Sequence, residues 1–431
     1  MYPPKTGQIV GRARRALPGG WLGDLILPEA MTLVASHGKG SRLFDVDGRS
    51  FLDLTCGGGS LILGHSHPAV VAAAHKQLEL GSTFYTLNER SIELAEQLID
   101  AVPCAEQVRF ASAGAEATFY MLRLARAFTG KKKILKFEGS YVGHHDYGMI
   151  SVSPPESNTP LAPHFDSAGI PDELKDLVIV APYNDARTTS ALIEEHADDL
   201  AVVLVEAVQR AIPPARGFLE TLRETTQRCG VLLAFDEVVT GFRLAYGGAQ
   251  EYFGVTPDLA AYGKAVACGY PLSAVAGRGD VMELADPARK GNANYVYFSG
   301  TLSGNPLCCA ASLATLEELR RPGTYEKLAA LGDKFREGLA DVFARHGIAA
   351  QVIGVGSLFQ IFFTNNPVND YRGQTRADRD TFEVFVRKMF AKNIFMSRRA
   401  KNYISTAHTE KDLDEFLSAA DTVCASGLKS G

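Results

Sequence analysis

Apolar runs that end at acidic residues are the clearest pattern in this chain. The run from Val231 to Phe235 is followed by Asp236 and Glu237, and the run from Leu200 to Val205 is followed by Glu206. Short apolar runs without alternation are typical of strands that are buried on both faces of a parallel sheet. The pattern therefore predicts an α/β fold with a mostly parallel central sheet.

Helical periodicity and length predict a second, smaller unit, with helices from Leu307 to about Leu319 and from Tyr325 to Arg345. In the large unit, Pro68 stands where proline is favoured at the start of a helix, and a helix is expected from Ala69 to about Leu80. Leu43–Val46 and Phe51–Leu54 read as a β-hairpin around an Asp-Gly turn. Because 431 residues exceed one ordinary domain, we expect three parts: an N-terminal segment 1–55 that packs with the small domain, a large domain 56–305 and a small α+β domain 306–431.

Two chemically suited residues follow neighbouring predicted strands. Asp236 ends one strand, and Lys264 follows the apolar run from Asp258 to Tyr262. Ligands of open α/β sheets bind at the carboxyl ends of the strands. Pyridoxal phosphate needs a lysine that forms a Schiff base with its aldehyde and a carboxylate that keeps its pyridine nitrogen protonated. Taken alone, this pair also fits ordinary solvated strand ends.

A turn of small residues leads from a predicted strand into a helix. Val108–Ala111 is the strand, and the helix begins near Gly114 and Ala115. The free N–H groups and the positive dipole end of a helix suit a phosphate group. We therefore expect the backbone amides of Gly114 and Ala115 to bind phosphate, with a plain strand-to-helix turn as the alternative.

Several motifs, in a fixed order, resemble those of one enzyme family. They are LFDVDG, LGHSHP, GAEAT, KFEGSY, FDEVVTGFR, PDLAAYGK and GTLSGNP. Together they resemble the class III (subgroup II) aminotransferases of fold type I, nearest to the glutamate-1-semialdehyde 2,1-aminomutase branch and its β-amino-acid aminotransferase relatives. The resemblance implies pyridoxal 5′-phosphate as cofactor, a homodimer, and amino transfer from an amine or amino acid to a keto or aldehyde acceptor.

The resemblance also implies roles for individual residues. Lys264 would carry the Schiff base and act as general base and acid, and Asp236 would hold the ring nitrogen charged. Further cofactor contacts are expected from residues that match the family motifs: Tyr141 stacked on the ring, Val238 on the opposite face, Glu206 at its strand end, Gln209 on the phenolic oxygen, and Thr301 on the phosphate of the partner subunit.

Substrate contacts are less well defined by the pattern. Related β-amino-acid aminotransferases place a carboxylate-binding arginine near Arg398 and Arg399, and a guanidinium fits a carboxylate through two hydrogen bonds. A surface arginine is the alternative for Arg399. Trp21 and Tyr85 are further candidates for the pocket wall.

Two departures from the aminomutase pattern favour transamination. No arginine follows the turn at Pro18–Gly20, where Trp21–Leu27 is apolar instead, and Arg210-Ala211 replaces a glycine-asparagine pair. An apolar segment at this position indicates a more apolar substrate pocket. The aminomutase reaction remains the alternative, and a non-catalytic relative that only binds the cofactor is a third reading, which the retained Lys264 and Asp236 oppose.

Composition excludes several other classes of function. The net charge of −5 with mixed signs gives no reason to expect nucleic acid or a membrane as partner. The seven cysteines lack metal-ligand spacing, so we expect no metal and a reducing cytoplasm. The basic N-terminus leaves a transit peptide as an alternative.

Overall fold

The computed structural model describes residues 2–157, 159–398 and 401–428, which form three sheets surrounded by helices. The strands are β1 Ala35–Lys39, β2 Arg42–Asp45, β3 Ser50–Asp53, β4 Gln107–Ala111, β5 Lys133–Phe137, β6 Val178–Ala181, β7 Leu200–Val205, β8 Leu232–Glu237, β9 Leu259–Tyr262, β10 Ser273–Gly277, β11 Gln351–Val355, β12 Leu358–Phe362, β13 Ile394–Phe395 and β14 Asn402–Tyr403. The α-helices are α1 Pro4–Ala16, α2 Cys56–Gly59, α3 Pro68–Leu80, α4 Glu89–Ala101, α5 Gly114–Thr129, α6 Ala186–Glu195, α7 Phe218–Arg228, α8 Gly248–Phe253, α9 Gly279–Met282, α10 Pro306–Leu319, α11 Thr324–Arg345, α12 Tyr371–Thr375, α13 Arg379–Ala391 and α14 Glu410–Ala425. Short 3-10 helices lie at Pro18–Gly20, Glu29–Met31, Asp172–Leu177, Lys264–Ala267, Glu283–Ala285 and Pro287–Arg289.

The largest sheet within the described ranges has seven strands in the order β4-β10-β9-β8-β7-β5-β6. β10 runs antiparallel to both of its neighbours, and the other pairs are parallel. Parallel neighbours need crossover connections, and these place helices on the faces of the sheet. The predicted α/β fold with a mostly parallel sheet is confirmed.

The central strands are buried on both faces, as their sequence predicts. In β8, Leu233 and Phe235 pack into one apolar core, whereas Leu232 and Ala234 pack into another. Successive side chains of a strand point to opposite faces. A strand between two cores therefore reads as one continuous apolar run.

The predicted helices and hairpin are also found. α3, α10 and α11 begin and end within one residue of the predicted positions. β2 and β3 pair as an antiparallel hairpin. Asp45 holds its turn, because its carboxylate accepts hydrogen bonds from the N–H groups of Asp47 and Arg49 at 3.0 and 2.8 Å.

A separate core joins the two ends of the chain. Phe51 and Leu52 of β3 share it with Phe385 and Phe390 of α13. β13 extends the N-terminal sheet by pairing with β3 in parallel. α10, by contrast, contacts α3 and α4 and belongs to the core of the large sheet.

The described helices include none that is both long and apolar enough to span a membrane.

Candidate functional site

The two acidic residues at the end of β8 have different surroundings. Glu237 accepts hydrogen bonds from Thr240 Oγ1 and from the N–H of Ala249, at 2.7 and 2.8 Å, so it fixes the turns that follow the strand. Asp236 lines a cavity and accepts a hydrogen bond from the N–H of Val238 at 3.0 Å. Since neighbouring side chains of a strand point in opposite directions, only Asp236 faces the cavity.

Lys264 reaches the same cavity because β9 lies beside β8. In the parallel pairing of these strands, Tyr262 is opposite Glu237. Lys264 follows two residues later and lines the cavity. Its φ of +49° is left-handed, a conformation that costs a residue with a side chain about 1 kcal/mol or more. The surrounding structure therefore holds this lysine in a strained backbone position at the strand edge.

The cavity has a volume of about 670 Å³, which is in the usual range for small-molecule sites. One wall, here called the sheet side, is formed by the strand ends and the N-terminus of α5: Gly114, Ala115, Tyr141, Glu206, Asp236, Val238 and Lys264. A second group of lining residues, here called the segment side, comes from both ends of the chain: Leu25, Leu27, Phe395, Met396, Arg398 and Lys401.

Burial shifts the proton equilibria of the two central groups. Burial and the neighbouring Glu206 carboxylate raise the pKa of Asp236 to about 7. Burial and the nearby Lys401 ammonium lower the pKa of Lys264 to about 8. A cation placed against Asp236 would lower its pKa again. The cavity thus holds a carboxyl group that favours a cationic partner and an amine that is neutral more often than an ordinary lysine.

The N-terminus of α5 opens onto the cavity. Ala113 precedes the helix and provides no side-chain cap. Ser273 Oγ donates to the carbonyl of Ala113 at 2.8 Å and fixes the turn. A Cβ atom on Gly114 would lie 2.9 Å from Val238 Cγ1. Glycine is therefore required for the helix to approach the end of β8 this closely, and its amide end suits an anion.

Tyr141 is held at the cavity by a buried lysine and an acid. Lys136 is fully buried in β5, and its Nζ donates to the carbonyls of Ser140, Gly148 and Ile150, which fixes the chain after the strand. The N–H of Tyr141 itself donates to Glu206 at 3.1 Å. The tyrosine ring stays 42% exposed on the cavity wall.

These groups fit pyridoxal phosphate. The uncapped helix N-terminus at Gly114 suits the phosphate, the buried carboxylate of Asp236 suits a protonated ring nitrogen, and the amine of Lys264 suits the aldehyde. The donor set tests the fit, because a helix N-terminus without a side-chain cap, a buried carboxylate and a lysine amine line the same cavity. The individual contacts stay predictions.

Lys401 is a site residue that the sequence did not reveal. It is 5% exposed, lines the cavity, and its Nζ lies 3.5 Å from Glu206 Oε1. Burial lowers its pKa. It stands in a polar, basic stretch, a pattern that is typical of an exposed loop. Its nearness in sequence to Arg398 was the one available signal.

Arg210 also lines the cavity, with a left-handed φ of +59°. Its Nε donates to the carbonyl of Gly139 at 3.0 Å. The departure from the aminomutase pattern at this position therefore changes the cavity wall itself.

Gln209 lies apart from the cavity lining. Its Nε2 donates to the carbonyl of Glu138 at 2.7 Å, and its Oε1 is buried without a hydrogen-bond partner in the described part of the chain. Its expected bond to the phenolic oxygen stays a prediction.

Three other expected residues do not line this cavity. Tyr85 is 80% exposed, Thr301 is exposed, and Trp21 is half-buried at the start of the segment that carries Leu25. Arg399 lies outside the described residues. The roles of all four stay predictions.

Comparisons with known proteins show the family and the fold. Residues 28–407 match the family model of aminotransferase class III. The chain is 39% identical over 428 residues to glutamate-1-semialdehyde 2,1-aminomutase 2 of Brevibacillus brevis, across 97% of this chain and 98% of the relative. An omega-transaminase from Sphaerobacter thermophilus superposes with a TM-score of 0.92 at 34% identity, over 97% of both chains. A transaminase solved with PLP bound gives a TM-score of 0.91 at 29% identity, over 99% of both chains.

The family model covers most of the chain, and the relatives are similar over nearly their whole length. The relatives' names include both a transaminase and an aminomutase, so family and cofactor are established more firmly than the reaction. This chain belongs to the class III aminotransferases, with the fold-type I architecture and pyridoxal phosphate as its cofactor.

Proposed function

We propose that this enzyme is an aminotransferase that moves an amino group from an amine or amino acid, including β-amino acids and larger amines, to a keto or aldehyde acceptor. The choice of transamination depends on one observation. Leu25 and Leu27 line the cavity in the N-terminal segment, where the aminomutase pattern has an arginine. An apolar wall favours a substrate with an apolar part over a small substrate with a charge at that position.

The residues of the sheet side supply the chemistry around the cofactor. Pyridoxal phosphate contributes an aldehyde that condenses with amines and a ring that accepts electrons. Lys264 holds or moves a proton at Nζ, because its pKa of about 8 lets the amine exist in both forms near neutral pH. The carboxylate of Asp236 would stabilise a positive charge at the ring nitrogen. Gly114 and Ala115 hold the phosphate through their N–H groups.

Tyr141 and Val238 would enclose the ring between them. Both line the cavity, and the chain around each is fixed by hydrogen bonds at Glu206 and Asp236. Apolar and aromatic walls exclude water, and this strengthens the interactions of the charged groups inside. In this proposal Glu206 positions Tyr141, and the ammonium group of Lys401 balances the charge of the Glu206 carboxylate.

A homodimer is part of the proposal. Leu302 is 51% exposed beside Thr301, and Phe84, Tyr85 and Leu87 are exposed apolar residues. Asn88 Nδ2 donates to the carbonyl of Gly304 at 3.0 Å, so the two exposed stretches are joined at their ends. Exposed apolar patches are typical of protein interfaces. Thr301 would then contact the phosphate bound by the partner subunit.

The aminomutase reaction is the second candidate. The observation in its favour is the 39% identity to a protein named glutamate-1-semialdehyde 2,1-aminomutase 2. The same Lys264 and Asp236 would serve that reaction, in which the amino group returns to the same molecule.

A visible absorption titration separates the two candidates. The purified protein is loaded with pyridoxal phosphate and titrated with amines, α-amino acids, β-amino acids and glutamate-1-semialdehyde. Bleaching of the visible band by an amine, followed by recovery with a keto acid, is expected for the aminotransferase. Conversion of the semialdehyde without discharge by any other amine would instead identify the aminomutase.

A further inference from the structure

A guanidinium fixes the backbone that carries the apolar cavity wall. Arg398 Nη1 donates to the carbonyl of Ile26 at 2.6 Å. Nε and Nη2 of the same group contact Glu383 Oε2 at 2.8 and 2.6 Å. Glu383 lies on α13, which packs into the core that joins the two ends of the chain. Arg398 therefore ties residues 21–28, here called the strap, to a packed helix.

The hydrogen bond from Arg398 meets the strap at the residue between Leu25 and Leu27. Leu25 and Leu27 both line the cavity, and Ile26 between them does not. Leu25 is 45% exposed and Ile26 is 55% exposed. Thr32 Oγ1 donates to the carbonyl of Pro28 at 3.0 Å and fixes the end of the strap. The hydrogen bond from Arg398 therefore reaches the backbone at the residue between the two cavity-lining leucines.

The charge of Arg398 is already balanced. Its planar group uses three nitrogens on two fixed acceptors, an arrangement that a lysine cannot reproduce. An arginine with these contacts holds the strap and is not free to bind a substrate carboxylate. The wall that it holds continues through Phe395 and Met396.

We propose that Arg398 is a positioning residue that sets the substrate class. By holding the strap, it keeps Leu25 and Leu27 on the cavity, so that the enzyme prefers amino donors with an apolar chain beyond the amine. This inference rests on the transamination proposed above.

The position of the strap is measured without any reaction. Trp21 is the one tryptophan of the chain and stands at the start of the strap. In R398M we expect a red-shifted tryptophan emission and stronger quenching by acrylamide than in the unmodified protein, and a smaller change in R398K. R387M is the control, because Arg387 is exposed on α13, the helix that carries Glu383. Equal emission and quenching in R398M and R387M would show that Arg398 does not hold the strap.

Substrate preference is measured with unbranched primary amines of increasing length. In the unmodified protein, each methylene that enters the cavity should raise kcat/KM by about fourfold. The increase per methylene should fall in R398M and in L25A/L27A, and stay in R387M. A flat series in the unmodified protein, or the full increase in R398M, would overturn the proposed preference.

The two measurements also separate this inference from the proposed function. If neither an amine nor an amino acid discharges the cofactor in the unmodified protein, transamination fails, and the substrate preference fails with it. If amino acids discharge it and no unbranched amine does, transamination stands and only the substrate preference fails. The tryptophan signal still decides whether Arg398 holds the strap.

Discussion

The two walls of the cavity are built in different ways. The sheet side consists of residues at or just beyond strand ends, such as Asp236 and Lys264, whose places follow from the pairing of β8 with β9. The segment side joins residues near 25 with residues near 398, which meet only because both ends of the chain share one core. On our proposals, the sheet side carries the chemistry, and contacts between the two ends of the chain determine substrate choice.

The largest effect is expected on the sheet side, from K264A. Without this amine the protein loses both its covalent partner for the cofactor and its proton carrier, so turnover should fall by more than about a thousandfold. Turnover assays and mass spectrometry after borohydride reduction check the two losses. K411A, at an exposed lysine of α14, should retain both. Multiple turnovers by K264A at a normal rate would refute the assigned role.

The second prediction concerns the rigidity of the sheet side. K136M removes the donor to three carbonyl groups, and each buried acceptor left without a partner costs about 1 kcal/mol or more. We expect a loss of about 3 kcal/mol in the free energy of unfolding, measured by urea titration followed by circular dichroism.

Lys133, on the same strand, is the matched control. Its ammonium forms a partly exposed ion pair with Asp199 at 2.7 Å. K133M should cost less than about 1 kcal/mol. Equal losses in the two variants would show that Lys136 does not hold the chain that carries Tyr141.

The sequence predicted the sheet side better than the segment side for physical reasons. A strand buried between two cores leaves a continuous apolar run, and the residue that ends it lies at a known edge. Periodicity also placed α11, and Pro68, at a position where proline is favoured, placed α3. Apart from the family motif, the sequence contained no signal that Asp236 faces the cavity and that Glu237 fixes the following turns.

Lys401 and Arg398 illustrate what local patterns do not contain. Both stand in a basic stretch that resembles a surface loop, yet Lys401 is buried against Glu206, and Arg398 is bound to Glu383 and the strap. Their positions depend on partners that are distant in sequence. Only tertiary packing distinguishes such residues from solvated charges.

A smaller effect is expected where the two elements of the sheet side touch. In G114A the new methyl group would meet Val238 at 2.9 Å, and overpacking of this kind costs about 1–3 kcal/mol. We expect the dissociation constant for pyridoxal phosphate, measured by absorbance or dialysis, to rise by about tenfold or more. The double variant G114A/V238A should recover part of this loss relative to V238A. No recovery would show that the effect is not steric.

The smallest effect links the two walls through charge. The Lys401 ammonium lowers the pKa of Lys264, second only to burial, because two cations disfavour each other. In K401M the pKa of Lys264 should rise above its value of about 8, by up to about one unit.

Capture of pyridoxal phosphate by the cofactor-free protein needs the neutral amine of Lys264, so the rate of capture rises with pH through this pKa. The midpoint of that pH profile should therefore move to higher pH in K401M and stay in K411M. A midpoint that does not move, or moves to lower pH, would show that the segment side does not tune the amine, and the two walls would then act independently.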